Sequence, residues 1–332
     1  MNSYSYFPGC SLHATAREYD ESIRVLAAPL ELSLREIEDW CCCGATPAHA
    51  IDNEAAHLLG AWNLAHASRL GDDPLLTGCA ACFSRLRAAR QEFLEHPDQA
   101  VAAAQAIGLP LDATPPVLHI AQILAEPATR ERIAAKVTRP LRGVRIACYY
   151  GCLLTRPRGE DAVDDAEAPT ILEDIVRLAG GEPVDWPLRL DCCGASMTLP
   201  RPDLVRELSG RILVMAHERG AQALMVACPL CHSNLDFQQD ATLRARGAAW
   251  RIPVLYLTQV IGLALGIEPR RLGLQRHFVP VRADDLRAAG EANLAAQAAA
   301  AATKGGKAPS AAAAGKTDTA AHAAPTEGGA RG

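Results

Sequence analysis

The stretch Asp39-Trp40-Cys41-Cys42-Cys43-Gly44-Ala45 decides how this chain is organised, because its Cys-Cys-Gly triplet returns as Asp191-Cys192-Cys193-Gly194-Ala195. A lone cysteine precedes each triplet, and a Cys-x-x-Cys turn follows it. The complete sets are Cys10, Cys42, Cys43, Cys79 and Cys82, and then Cys152, Cys192, Cys193, Cys228 and Cys231. Two copies of one five-cysteine pattern predict that each half of the chain builds a thiolate-rich metal site.

The repeat extends beyond the cysteines, which indicates a duplicated unit of roughly 130 residues. Residues 6–12 (YFPGCSL) parallel residues 148–154 (CYYGCLL), and residues 116–122 (PVLHIAQ) parallel residues 253–259 (PVLYLTQ). We therefore expect four segments. They are a first domain at 1–126, a charged and partly helical linker at 127–142, a second domain at 143–285, and an Ala-rich tail at 286–332.

The pattern of apolar residues predicts an α/β fold. Short β-type runs at Val144–Ala147 and Ala223–Val226 lead into cysteines, and helical patterns follow them. Alternating strands and helices favour mostly parallel sheets, with ligands at the carboxyl ends of the strands. In the tail, Asp284-Asp285 is expected to cap an Ala-rich helix at Leu286–Ala302, with disorder beyond Gly305-Gly306.

One helix is predicted in more detail, between Ala48 and Leu70, with Thr46-Pro47 as its N-cap and first helical position. The apolar residues recur at a spacing near 3.6, which is typical of a helix. They are Ile51, Ala55, Leu58, Leu59 and Trp62.

Composition narrows the class of protein. The 332 residues suffice for about two domains, and a hydrophobic fraction of 49% supports buried cores. The net charge of −5 argues against nucleic acid as a partner. No apolar stretch of ~20 residues predicts a membrane span, and the N-terminus does not resemble a signal peptide. We therefore expect a cytoplasmic protein, whose twelve cysteines stay reduced and serve as metal ligands rather than disulfides.

The vicinal cysteines favour an iron–sulfur cluster over zinc. Neighbouring side chains diverge, so two adjacent thiolates suit different atoms of a large cluster better than one small ion, and five ligands exceed the four of a zinc site. Gly44 and Gly194 are predicted to line the cofactor, since glycine accepts a positive φ and leaves room beside the metal. Structural zinc and a redox-active dithiol remain as alternatives.

Several residues outside the repeat are assigned provisional roles. Cys41 and Cys148 are interpreted as small buried residues, with metal contact as the alternative. His232 follows the second Cys-x-x-Cys and completes a c-type haem motif, but Phe83 stands at the equivalent position, so His232 is expected to support the site. Arg156 and Arg158 are candidates for contact with an anionic substrate, with a solvated loop as the alternative.

These motifs together resemble the B-type subunit of heterodisulfide reductase and the wider group of proteins with duplicated CCG domains. The resemblance covers about residues 3–282, includes His277-Phe278-Val279-Pro280, and leaves out the Ala-rich tail. Cys41 departs from it, since the family more often has Asn before the vicinal pair. The resemblance implies two CCG domains related by pseudo-symmetry.

The resemblance also implies two noncubane [4Fe-4S] clusters, each held by one of the five-cysteine sets, which would thus be both metal ligands and catalytic residues. In the family, a ferredoxin-like C-type subunit, itself fed by a flavoprotein A-type subunit, supplies electrons one at a time, and the paired clusters split a disulfide. Arg outnumbers Lys and Ala is abundant, as in GC-rich bacterial genes. We therefore expect a bacterial relative acting on a small or carrier-bound disulfide or persulfide.

Two other classes of function stay open at this point. CCG domains also occur in electron-transfer subunits of quinone-linked or 2-hydroxy-acid dehydrogenases. A scaffold protein that binds zinc would also explain the thiols.

Overall fold

Two similar parallel sheets make up the fold. The computed structural model describes residues 2–45, 48–111, 114–156 and 162–305. Residues up to Leu294 belong to one compact unit, which contains both sheets, and the chain from Ala295 belongs to a second unit. Each sheet has four parallel strands in an equivalent order. The predicted α/β fold of two pseudo-symmetric domains with parallel sheets is confirmed.

The first half builds a sheet of order β2-β1-β3-β4. Its strands are β1 (Asn2–Tyr6), β2 (Leu32–Glu36), β3 (Leu75–Thr77) and β4 (Val117–His119). Its helices are α1 (Gly9–His13), α2 (Arg17–Ala27), α3 (Ala48–Ile51), α4 (Asn53–Ser68), α5 (Ala80–Glu95), α6 (Pro97–Ile107), α7 (Ile120–Ala125) and α8 (Pro127–Lys136). Helix α8 lies in the predicted linker, which agrees with the expectation of partial helicity.

The second half repeats this order as β6-β5-β7-β8. Its strands are β5 (Arg145–Tyr149), β6 (Glu182–Val184), β7 (Ala223–Val226) and β8 (Val254–Tyr256). Its helices are α9 (Ile171–Leu178), α10 (Pro202–Glu218), α11 (Pro229–Leu235), α12 (Gln239–Arg244), α13 (Leu257–Ala264) and α14 (Ala283–Gly305). Short 3₁₀ turns occur at Pro187–Leu190, Ala195–Met197 and Leu274–Arg276.

The central strands are buried on both faces, as parallel strands covered by helices are. All four residues of β7 are buried, and this strand has the bounds that the sequence predicts. The predicted strand Val144–Ala147 instead runs one residue later at its start and continues to Tyr149. It passes through Cys148, which is fully buried and lies opposite Met225, because an apolar thiol packs like any small hydrophobic residue.

The predicted helix Ala48–Leu70 is wrong in its continuity, because the structure has two helices there. The Asp52 carboxylate accepts a hydrogen bond from the Ala55 amide at 3.0 Å and starts α4 separately from α3. Ile51 is 80% exposed, whereas the small residues Gly60 and Ala61 are buried. Close packing against α5 explains the difference, since it selects small side chains over large ones. The predicted N-cap at residues 46–47 lies outside the described residues.

The chain after residue 282 forms the predicted helix with different bounds. Helix α14 begins at Ala283, so Asp284 and Asp285 lie in its first turn rather than before it. Acidic side chains in the first turn stabilise a helix through its dipole. Leu286 is buried, and the helix continues to Gly305. The disorder predicted beyond residue 305 concerns residues outside the described part of the chain.

Residues 2–125 and 144–294 pack against each other, and we call their contact surface the seam. Helix α2 lies against α13, where the Ser22 and Thr258 hydroxyl oxygens are 2.6 Å apart. The rings of Tyr19 and Tyr256 stack across the seam, 3.9 Å apart and tilted by only 9°. Among the described residues, no helix combines the length and apolar character needed to cross a lipid bilayer.

Candidate metal centre

The first five cysteines come together at the carboxyl ends of the strands. Cys10 lies in α1, just after β1, and the vicinal pair Cys42-Cys43 follows β2. Cys79 is the N-cap of α5, and Cys82 lies in the first turn of that helix. The Cys43 and Cys82 sulfurs are 3.3 Å apart. Strand ends thus deliver all five predicted thiols to one place, as the parallel topology requires.

The second set repeats this arrangement. Cys152 follows β5, Cys192-Cys193 follow β6, and Cys228 is the N-cap of α11. The Cys193 and Cys231 sulfurs are 3.5 Å apart, and the Cys152 and Cys192 sulfurs are 3.7 Å apart. In each half the inner thiols are buried, whereas the lone cysteine and the first of the pair are more open. All twelve cysteines of the chain are free thiols.

The two sets meet at the seam. The Cys79 and Cys228 thiols lie close enough to shift each other's pKa, so the N-cap cysteines of α5 and α11 face each other across the two halves. Because Cys79 also contacts Cys82, and Cys228 contacts Cys231, the ten thiols form one array rather than two isolated clusters.

Hydrogen bonds within the array favour the thiolate, the form in which cysteine binds metal, at Cys42, Cys192 and Cys228, and the pKa of other thiols in the array is raised. Donation from the Cys10 and Cys43 thiols lowers the pKa of Cys42 to about 2. Donation from Cys152 lowers the pKa of Cys192 to about 6. The pKa of Cys228 is also lowered, by hydrogen bonds from the Cys231 and Cys79 thiols and from backbone N–H groups in the first turn of α11.

Glycines before the lone cysteines leave space beside the inner thiols. Gly9 and Gly151 both have φ of +67°, and a Cβ atom would lie 3.2 Å from the Cys82 sulfur at the first and 3.1 Å from the Cys231 sulfur at the second. The duplication has thus kept the same opening twice. A group larger than one metal ion needs such room around its ligands.

The glycines of the vicinal pairs direct their N–H groups at sulfur. Gly44 has φ of +74° and donates to the Cys42 sulfur at 3.5 Å, and Gly194 has φ of +80° and donates to Cys192 at 3.3 Å. Both glycines thus have the positive φ that the sequence analysis expects of them. Hydrogen bonds to sulfur are among the features that tune iron–sulfur sites.

A buried hydroxyl at the meeting point lacks an acceptor. The Tyr19 hydroxyl is buried beside Cys79 and Cys228 and has no hydrogen-bond partner among the residues that the structure describes. A buried O–H is rarely left unpaired, so this donor indicates a missing acceptor between the thiol sets. Together with five thiols per site and the glycine openings, it fits iron–sulfur clusters better than zinc ions.

The remaining predicted residues lie at the edge of the sites. Arg156 is exposed, and its charge helps lower the pKa of Cys192. Cys41 is half-buried beside Cys42, where the Asn63 amide donates to its sulfur at 3.5 Å. Cys148 is buried in β5 without a thiol partner, as interpreted from the sequence. Arg158 lies outside the described residues.

His119 was not predicted as a site residue, yet it connects the two thiol sets. Its Nδ1 accepts from the Ala121 amide at 3.1 Å, so the neutral ring carries its proton on Nε2. Nε2 lies 2.9 Å from the Gly78 carbonyl and 3.1 Å from the Ala227 carbonyl. These residues immediately precede Cys79 and Cys228, so one N–H group ties the two N-cap cysteines together. The only signal in the sequence was its place in the repeated PVLHIAQ segment.

His232, His277 and Asp236 form a second buried polar group, with donor atoms close enough together to suggest a metal site. The hydrogen bonds argue against one. The Gln259 amide oxygen accepts from the Tyr256 N–H, so its nitrogen must donate to His277 Nε2 at 2.9 Å. The His277 proton is therefore on Nδ1, which lies 3.2 Å from His232 Nε2. A protonated ring nitrogen cannot bind a metal, so Nδ1 of His277 is not a metal ligand. The group is a hydrogen-bonded network.

Comparison with known proteins identifies the family. Residues 4–87 and 146–236 each match CCG, described as a cysteine-rich domain. The chain belongs to the CCG family. Its paired domains and its relatives place it with the proteins related to the B-type subunit of heterodisulfide reductase.

The CCG relatives named here are components of reductases. One, an 8-methylmenaquinol:fumarate reductase membrane anchor subunit from Wolinella succinogenes, is 33% identical over 84% of this chain and 98% of the relative. The B-type subunit of a ferredoxin/F(420)H(2)-dependent CoB-CoM heterodisulfide reductase from Methanosarcina acetivorans is 28% identical over 84% of this chain and 94% of the relative. The thiol array and this kinship support an iron–sulfur subunit of a multisubunit reductase.

A solved structure shares the fold. The crystal structure of a hypothetical protein from Helicobacter pylori covers 85% of this chain with a TM-score of 0.65 and 11% sequence identity. This chain spans 52% of that one, about half its length. At this identity the likeness concerns the fold alone.

Proposed function

We propose that the chain is the iron–sulfur subunit of a heterodisulfide-reductase-like complex. It would hold two noncubane [4Fe-4S] clusters, with Gly44, Gly194 and Arg156 beside them. The first cluster would be held by Cys10, Cys42, Cys43, Cys79 and Cys82, and the second by Cys152, Cys192, Cys193, Cys228 and Cys231. The observation that carries the proposal is the contact of the two sets at the seam, where His119 Nε2 lies 2.9 Å and 3.1 Å from the carbonyl oxygens that precede Cys79 and Cys228.

This contact suits a two-electron reaction. Reduction of a disulfide consumes two electrons and two protons and releases two thiols, whereas iron–sulfur clusters, when bound, supply electrons one at a time. Two adjoining sites provide both electrons close together. The buried thiols Cys79, Cys82, Cys228 and Cys231 exclude water from the place where the sites meet.

The open side of each site suggests where other molecules reach it. Cys10, Cys42 and Cys192 are exposed, and Arg156 lies near the Cys152–Cys192 pair with a positive charge. That charge would suit a disulfide or persulfide with anionic groups, either as a small molecule or on a carrier protein. A ferredoxin-like C-type subunit and a flavoprotein A-type subunit of the same complex would supply the electrons. The cytoplasmic location and the proposed domain boundaries stay predictions.

Single-turnover measurements on the anaerobically purified complex test the disulfide proposal. The reduced complex is mixed with an unsymmetrical disulfide, and released thiols are counted against oxidised cluster. One disulfide should yield two thiols for two electrons lost. A complex that stays reduced with every disulfide and persulfide offered, while its clusters remain intact, would contradict the proposal.

A second function has support from a specific observation. The Wolinella relative, at 33% identity over nearly its whole length, is named as part of an 8-methylmenaquinol:fumarate reductase. We therefore also propose an electron-transfer role in a quinol-linked reductase. The same reduced and oxidised samples decide between the two, because a quinol would reduce the oxidised clusters under conditions in which thiols do not.

A further inference from the structure

We infer that a cavity at the seam binds the ring of a neutral, planar quinol, an inference that rests on the quinol-linked function proposed above. The cavity has a volume of about 320 Å³, within the usual range for small-ligand sites. Both halves of the chain line it, and the groups that matter are Glu18, His232, Asp236, Phe237, Tyr256 and Phe278.

Three buried polar side chains face this cavity. Glu18, His232 and Asp236 are only 6%, 5% and 1% exposed. The Glu18 carboxylate accepts one long hydrogen bond from the Tyr256 hydroxyl, at 3.4 Å, and Asp236 accepts from the Phe278 and Val279 amides. Each carboxylate oxygen has further acceptor capacity, which a ligand hydroxyl would satisfy.

His232 adds a ring nitrogen to these acceptors. Its Nε2 lies 3.2 Å from the Val254 carbonyl oxygen, which can only accept, and 3.2 Å from His277 Nδ1. Its Nδ1 has no hydrogen-bond partner among the residues that the structure describes. A ligand hydroxyl in the cavity would reach this nitrogen. The site therefore combines two carboxylates with one unengaged ring nitrogen, which suits a ring that carries hydroxyl groups at opposite ends.

Two aromatic side chains flank the opening. Phe237 and Phe278 are 56% and 67% exposed, and their rings lie 4.6 Å apart. Large apolar side chains that are exposed together at a cavity are typical of a binding site. They offer faces and edges on which a flat ring packs.

The charges of the lining exclude an anionic ligand. Glu18 and Asp236 are both acidic, and the one guanidinium in the lining, Arg276, is engaged by Glu21 at 2.9 Å. These two carboxylates would repel a carboxylate, phosphate or sulfonate, and no free cation in the described lining offsets that repulsion. The cavity thus suits a neutral ring with hydroxyl groups, in contrast to the open side of the thiol sites near Arg156.

The cavity lies close to the thiol array. His232 directly follows Cys231, and its ring stacks on Tyr256 at 4.3 Å. Tyr256 in turn stacks on Tyr19, which lies beside Cys79 and Cys228. A bound ring would therefore be connected to the meeting point of the two thiol sets through the stacked rings of Tyr256 and Tyr19.

Calorimetric titration of the full-length, cluster-containing protein with dimethylnaphthoquinol tests the inference. Protein and ligand are both kept reduced, so binding is measured without electron flow, and the methylated ring carbons cannot add to thiols. Phe278→Ala should weaken binding about 10-fold or more. Leu199→Ala is the matched control, since Leu199 is 92% exposed and lies outside the cavity, and should leave binding unchanged.

A sulfonated naphthoquinol provides the second arm and should bind about 10-fold more weakly than the neutral ring. Absence of binding, equal losses in Phe278→Ala and Leu199→Ala, or equal affinity for the sulfonated ring would each overturn the inference. Iron and sulfide contents are measured on the same samples. A cluster-loaded protein that binds no quinol refutes the cavity assignment, whereas binding without cluster reduction in the complex refutes the quinol-linked function instead.

Discussion

At the scale of single residues, His119 has the most direct effect on both thiol sets. Its ring lies at the seam, fully buried, and its Nε2–H is shared between the carbonyls that precede Cys79 and Cys228. Burial lowers the pKa of His119 to about 4, and protonation would also place an Nδ1–H group against the Ala121 N–H. The neutral ring is thus part of the folded seam.

This lowered pKa predicts a loss of stability in mild acid. The unfolded histidine protonates near pH 6.5 and the folded one near 4, so stability is present above pH 6.5 and falls as the pH drops. Between pH 7.5 and 5.5 the loss should be about 1.3 kcal/mol. Denaturant unfolding of the wild type and of His119→Gln measures it. Equal pH dependence in the two proteins would mean that His119 is not buried as a neutral ring.

The unpaired Tyr19 hydroxyl gives a test of cofactor fit. If its acceptor is a cluster sulfur, Tyr19→Phe removes a hydrogen bond to sulfur and should lower a cluster reduction potential by about 40 mV, equivalent to about 1 kcal/mol. Redox titration followed by electron paramagnetic resonance measures the potential. The opposite pattern, an unchanged potential with a protein more stable by about 1 kcal/mol, would show that this hydroxyl has no partner at all.

Gly151 is predicted to be needed for metal loading because of the space that it leaves, in addition to its backbone conformation. Gly151→Ala strains a residue with φ of +67° and places a methyl group 3.1 Å from the Cys231 sulfur. Gly247→Ala is the matched control, because Gly247 has φ of +69° and open space around it. Both should lose about 1 kcal/mol of stability, and only Gly151→Ala should lose roughly half of the iron. Similar iron contents in the two variants would contradict the role of this opening.

At the scale of elements, small residues set how closely helices α4 and α5 pack. A Cβ at Gly60 would lie 2.5 Å from the Ala89 Cβ, so the two helices approach at this point. The contact explains why the small residues Gly60 and Ala61 are buried, whereas Ile51, at the start of the predicted helix, is exposed.

A double-mutant cycle tests this packing. Gly60→Ala should destabilise by about 1–3 kcal/mol despite the better helix propensity of alanine. Adding Ala89→Gly removes the clashing methyl group and should recover much of that loss, which gives a favourable coupling energy above about 0.5 kcal/mol. Urea unfolding of the four proteins provides the values. Additive effects would mean that these two residues do not touch.

The sequence predicted elements well where one rule governs them and poorly where packing decides. Ala223–Val226 is apolar throughout, and a strand buried on both faces needs nothing more. The break at Asp52 was missed because an Asp side chain can cap a helix or lie within it, and the local pattern does not distinguish these. The strand continues through Cys148 because a buried thiol packs as part of the core, which the cysteine pattern in the sequence does not reveal.

At the scale of the whole molecule, the duplication made the two thiol sites predictable but not their contact. Spacing alone grouped the ten cysteines, since parallel strands bring their carboxyl ends to one edge of each sheet. The seam has no such signature, because its residues are far apart in sequence, as Ser22 and Thr258 are. His119 and the stack of Tyr19 on Tyr256 therefore emerged only from the structure.

Pseudo-symmetry also hides differences between the halves. Phe83 in the first half corresponds to His232 in the second, and His119 corresponds to Tyr256. The first exchange places a polar ring on one side only, so the network around His277 occurs in the second half without a counterpart among the described residues of the first. The duplicated pattern fixes the two thiol sets, and these exchanges give each half its own surroundings.

The central claim is that both thiol sets hold four-iron clusters, and metal analysis tests it most directly. Iron, acid-labile sulfide and zinc are measured per chain on anaerobically purified protein. Two clusters predict about eight iron and about eight sulfide with no zinc. Zinc alone, persisting after anaerobic reconstitution with iron and sulfide, would contradict the claim and leave a zinc-stabilised scaffold.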